Sequence, residues 1–116
     1  MNNQSLQNFL EYLESEEELR LFIRNNADWN ENSFIKMNEL LNELMSDYKS
    51  ETNYPKIIVL YFMVDIPSII EMLSHFKFHL EADFGKGYTQ KSYEEYISER
   101  INKLKSLKKD FIKSLY

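Results

Sequence analysis

A chain of 116 residues with 43% apolar content and a formal net charge of −5 is long enough for one domain with its own core, and its acidity sets it against phosphate backbones and toward basic partners. It has no cysteine, which removes disulfide staples, thiolate nucleophiles and cysteine-ligated zinc. Two glycines and two prolines are too few for a loop-rich sandwich or barrel.

The N-terminus, MNNQSLQNFLEYLESEEEL, has no basic segment and no small-residue cleavage site. No uninterrupted apolar run approaches the roughly 18 residues of a membrane span. The expectation is a single cytoplasmic helical domain over residues 1–116, with no membrane segment. Acidic side chains concentrate before Glu51 and basic ones after Lys86, so the two ends of the chain attract if they pack together.

The first predicted helix covers about Ser5 to Glu14, with Leu6, Phe9, Leu10 and Leu13 at helical spacing. Ser15, followed by three glutamates, reads as the cap of a second helix in which Glu18 closes a capping box. That helix runs to about Asn25 with Leu19, Phe22 and Ile23 inward; a single helix from Ser5 to Asn25 is the alternative. Asn25 to Ser33, which holds the only tryptophan, reads as a linker. Asn32 or Ser33 is expected to cap the third helix, whose core stripe is Phe34, Met37, Leu41, Leu44 and Tyr48. Glu39, Glu43 and Asp47 form a row four residues apart on another side.

Pro55 opens the next element. Ile57 to Val64 is β-branched and aromatic enough for a strand, but a lone strand has no partner elsewhere in the chain, so a helix is expected. Pro67 then kinks or breaks it. Ser68 to Asp83 continues as helix, with Ile69, Met72, Leu73, Phe76 and Leu80 inward, and Gly85 stops it. The last helix covers about Gln90 to Leu115, with a stripe of Tyr93, Ile97, Ile101, Leu104, Phe111 and Leu115. The fold expected is all-α: a compact bundle of about five helices with a long C-terminal one.

Three features invite a chemical reading. Glu71, His75, His79 and Asp83 are spaced by four, so on one helix they form a row in which two histidines can chelate a metal. The row falls opposite the Leu73, Phe76 and Leu80 face, which favours a solvated polar surface, and no metal or other cofactor is expected. Gly85-Lys86-Gly87 lacks the length and the Lys-Ser/Thr ending of a phosphate loop. Arg100, Lys103, Lys105, Lys108, Lys109 and Lys113 make the last helix basic, yet the acidic chain as a whole and the preference for lysine over arginine speak against nucleic acid. Tyr12, Tyr61, Phe78 and Tyr96 fall off the main stripes and suit either an interface or a second layer of core. No catalytic residue is expected, because no nucleophile motif or convergent acid–base pair is visible.

The acidic set carries the functional expectation. Trp29, Glu31, Glu39, Glu43 and Asp47 are the expected contacts with a basic protein: carboxylates around an aromatic anchor. In general character such a small, cysteine-free, acidic helical chain resembles toxin-neutralising immunity proteins and antitoxins, an analogy of type that rests on no motif. It implies an inhibitor that covers a basic partner such as a toxin or nuclease. The competing expectations are a homo-oligomer built on the last helix and its spare aromatics, and a metal-binding protein using His75 and His79.

Overall fold

The structure, a computed structural model, describes residues 4–26, 28–49, 53–75 and 89–115. Its elements in chain order are α1 (Gln4–Glu14), α2 (Leu19–Asn26), α3 (Glu31–Asp47), α4 (Lys56–Leu60), a π-helical segment (Tyr61–Asp65), α5 (Ile66–Ser74) and α6 (Gln90–Ser114). The described residues contain no strand, and Ile57 to Val64 is helical as the missing strand partner required.

The chain does break between the first two helices, but the caps are not those expected. Ser15 does not cap α2: its hydroxyl donates to the carbonyl of Tyr12 at 2.7 Å and closes the end of α1. Glu18 is the cap instead. Its carboxylate accepts from the Leu21 N–H at 2.8 Å, and its carbonyl from Phe22 at 2.9 Å. At α3 the cap is Asn30, two or three residues earlier than the expected Asn32 or Ser33, with extended backbone and Oδ1 accepting from the Ser33 N–H at 3.0 Å. Ser33 is then free to turn its hydroxyl onto the Glu17 carbonyl. Since that bond uses the serine proton, the Tyr12 hydroxyl donates to Ser33 Oγ at 3.0 Å, and it also accepts from the Leu19 N–H at 2.9 Å. One buried tyrosine thus ties together α1, the start of α2 and the start of α3.

Lys56 to Ser74 is one continuous helical rod. Pro67 does not break it. Asp65 and Ile66 keep right-handed helical dihedrals, and the Ile66 N–H reaches back five residues to the Tyr61 carbonyl. A proline ring collides with the carbonyl four residues before it and offers no N–H. The wider π turn just ahead of Pro67 relieves that conflict. The rod buries Ile58, Tyr61, Phe62, Ile66, Ile69 and Leu73. By length and composition it is apolar enough to cross a bilayer, which the count of uninterrupted apolar residues did not reveal. Here one of its faces is packed into the protein core. Helix α5 ends at Ser74, and His75 is extended, with φ −73° and ψ 138°. The expected continuation through Phe76, Leu80 and the Gly85 stop lies outside the described residues.

Helix α6 starts at Thr89, which exchanges hydrogen bonds with Ser92 in a capping box. It buries Tyr93, Ile97, Arg100, Leu104, Leu107 and Phe111, an alternation of four and three that lays a straight seam on the rod and on α3. Ile101 and Ile112 are half-buried and Leu115 is exposed, so the stripe lies one position away from the expected one at Ile101. Phe62 stacks on Phe111 with ring centres 4.0 Å apart, and Phe9 meets Tyr61 edge to face at 5.0 Å. Tyr12 and Tyr61, which fell off the predicted stripes, are thus core residues.

Candidate functional site

The expected contact residues do not form one surface. Trp29 is interior: its ring packs on Phe34 with centres 5.2 Å apart, and its indole N–H donates to Glu31 Oε1 at 2.9 Å. Its place beside acidic residues in the sequence suggested an exposed anchor; the structure makes it a wedge between α3 and the chain leading into it. Glu31 is already engaged. Arg100 grips it with two parallel bonds, Nε to Oε1 at 2.8 Å and Nη2 to Oε2 at 2.6 Å. Glu39, Glu43 and Asp47 are exposed.

Arg100 is the residue that sequence reasoning missed. It occupies a core position of the α6 seam and is only 8% exposed. Besides Glu31 it donates through Nη1 to Glu99 at 3.1 Å, and its guanidinium lies 4.3 Å from the centre of the Tyr96 ring. The hydrogen bonds from Arg100 hold the Glu31 carboxyl below its ordinary range, against the opposing effect of partial burial. Burial raises the Tyr96 phenol, with the Glu31 charge adding to it. Next door, the Tyr93 hydroxyl donates to Asp28 Oδ1 at 3.3 Å, which also accepts from the Trp29 N–H. The corner between α2 and α3 is thereby clamped to α6. The sequence signal was present: a lone arginine where a 4-3-4 apolar pattern calls for a core residue.

This clamp closes one end of a groove of about 710 Å³ between α3 and α6. From α3 it is lined by Phe34, Ile35, Asn38, Glu39 and Asn42, and from α6 by Glu99, Asn102, Lys103, Ser106, Leu107 and Asp110. Its charge is uneven. Glu31 is neutralised by Arg100, and Glu99 is shared between Arg100 and Lys103, the latter at 3.6 Å. Glu39 and Asp110 have no ion pair among the described residues. Ile35, 45% exposed, is an apolar contact in the same groove. No family model, curated protein or solved structure matches the chain, so the groove's own chemistry has to carry the functional reading.

Glu43 and Asp47 belong elsewhere. They line a smaller hollow of about 250 Å³ between α1 and α3, with Gln4, Ser5, Asn8 and Ser46. The helical row of three carboxylates is thus split: Glu39 joins the α6 side, and the other two join α1. The histidine row fails at its first step, because α5 ends before His75 and the four-residue spacing from Glu71 is not helical there. His79 and Asp83 lie outside the described residues. No cluster of three or more His, Cys, Asp or Glu that could hold a metal occurs among the described residues. Of the basic residues on α6, Lys105, Lys109 and Lys113 are exposed, while Arg100 and Lys103 are spent on carboxylates.

The groove offers carboxylates, amides, a hydroxyl and an apolar strip. Such a lining can hold a polypeptide segment through a buried apolar contact flanked by charge-assisted hydrogen bonds.

Proposed function

We propose that this chain is an acidic protein-binding module that covers a basic surface of another cytoplasmic protein, in the manner of an inhibitor or immunity-type protein directed at a toxin or nuclease. The observation that carries the reading is the presence, in one groove, of two carboxylates without an ion pair among the described residues, Glu39 and Asp110, together with the exposed Ile35. An apolar contact gives a partner residue somewhere to bury, and the uncompensated charges select lysine or arginine around it. Glu43 and Asp47 extend the negative field along α3 without sharing the groove. Trp29 and Glu31 serve the reading indirectly, by fixing α3 against α6. The scaffold is taken as one domain of about five rods, with Pro67 bending the fourth.

The test uses a basic protein recovered with the chain from its native cell. Glu39→Lys and Asp110→Lys together should slow its association about tenfold or more at low ionic strength, and the difference should shrink as salt is added. Ile35→Ala should instead speed dissociation. Association rates that ignore both charge reversals at low salt would remove the groove from the proposal.

A further inference from the structure

The rod from Lys56 to Ser74 has a second face. Ile57, Leu60, Met63 and Val64 are 43%, 46%, 43% and 56% exposed. A single exposed aliphatic residue is ordinary, but four within eight residues on one side of one helix make a continuous apolar patch. Ions bound it at both ends. Lys56 and Glu71 are exposed, and neither has an ion-pair partner among the described residues. The patch is therefore positive at one end, apolar in the middle and negative at the other.

That arrangement is complementary to itself under a two-fold rotation. If two copies lie antiparallel with the axis between Met63 and Val64, the Lys56 of one faces the Glu71 of the other, and this happens twice. Met63 then meets Val64, and Leu60 meets Pro67. The sixteen residues from Lys56 to Glu71, fifteen helical steps, make a seam about 22 Å long. A parallel pairing would set lysine against lysine and glutamate against glutamate. A lipid surface is the poorer occupant: the face ends in a carboxylate, the chain as a whole is acidic, and anionic membranes favour basic flanks.

We infer that the outward face of the Lys56–Ser74 rod is a two-fold antiparallel interface with a second copy of this chain. It uses α4, the π segment and α5, whereas the acidic groove uses α3 and α6, so the two readings stand or fall separately.

Sedimentation of the full chain across a series reaching high micromolar concentration should show a monomer–dimer equilibrium. Leu60→Glu, or Val64→Asp as a second variant, should abolish the dimer while the helical circular dichroism is kept. Lys56→Glu and Glu71→Lys should each weaken it about tenfold, and the double swap should restore it to within about threefold of the parent. A chain that stays monomeric throughout would overturn the inference, as would a dimer indifferent to Leu60→Glu. Single charge reversals that weaken a dimer the double swap does not rescue would overturn the antiparallel register. A monomer that instead partitions onto phosphatidylcholine–phosphatidylglycerol vesicles through Leu60 would overturn it in favour of a lipid surface.

Discussion

The Tyr12 hydroxyl has more structural consequence than its place off the apolar stripe suggests. It accepts the Leu19 N–H, one of the first, otherwise orphaned donors of α2, and donates to Ser33 at the start of α3. Burial pushes its phenol up to about 12, against the opposing effect of its hydrogen bonds with Ser33 and Leu19, so it is neutral and a donor throughout the physiological range. Tyr12→Phe keeps the ring against Phe9 and removes only the oxygen. Leu19 N–H and Ser33 then lose a partner in a place closed to water, which costs more than the bond itself contributes. The expected loss is about 2 kcal/mol in urea unfolding, with an unchanged m-value. A loss below about 0.5 kcal/mol would mean that water or a backbone shift replaces the hydroxyl.

At the scale of the element, the unusual part is the α2 cap. A glutamate does the work of a shorter side chain, and it does so while 5% exposed. Burial raises the Glu18 carboxyl above its ordinary 4.5, the Leu21 N–H and Arg20 pull it down by less, and the nearby Asp65 adds to the rise. The folded protein thus holds the Glu18 proton to higher pH than the unfolded chain does. Where the folded state binds more protons, stability falls as pH rises. Glu18 therefore contributes a decline in stability that starts near the ordinary carboxyl value and levels off above the raised one. Glu31 has the opposite sign: its depressed carboxyl supports the fold above the ordinary value and loses that support as pH falls through the depressed one. Glu18→Gln keeps an acceptor for Leu21 and removes the titration. Urea unfolding at stepped pH from mildly acidic to neutral should show the parent losing stability with rising pH and the variant flat. Parallel curves would show that Glu18 titrates alike in both states. The same element shows what the sequence hid. Helix cores were legible because apolar spacing repeats, as Phe34, Met37, Leu41 and Leu44 do. The caps were not, because Ser15 and Ser33 can each serve several backbone groups, and only the path of the turn decides which. Pro67 was legible as a disturbance. That it would widen a turn instead of ending the helix depended on core residues on both sides, Tyr61 and Phe62 before it and Ile69 and Leu73 after it, holding the register.

For the molecule as a whole, the charge gradient along the chain predicted attraction between its ends, and the Glu31–Arg100 pair, 69 residues apart, is where the described structure realises it. The candidate site was half legible: Glu39 could be picked from its row, but its neighbour Asp110 sits in a lysine-rich stretch whose sign conceals it. The two surfaces now assigned differ in kind. The groove between α3 and α6 is acidic, whereas the rod face is apolar with balanced ends, so salt should weaken binding at the first strongly and at the second less, through its two exposed Lys56–Glu71 pairs alone. No residue is shared between the groove and the rod face, and substitutions at sites with no common partner act additively. Glu39→Lys with Asp110→Lys should therefore leave the dimerisation constant within about twofold of the parent, and Leu60→Glu should leave the association rate with a basic partner equally unaffected. Both are read on the same preparations, by sedimentation and by stopped-flow mixing. If Leu60→Glu slowed the partner as strongly as the charge reversals do, the partner would be recognised by the dimer, and the two faces would have to be treated as one site completed by the second copy.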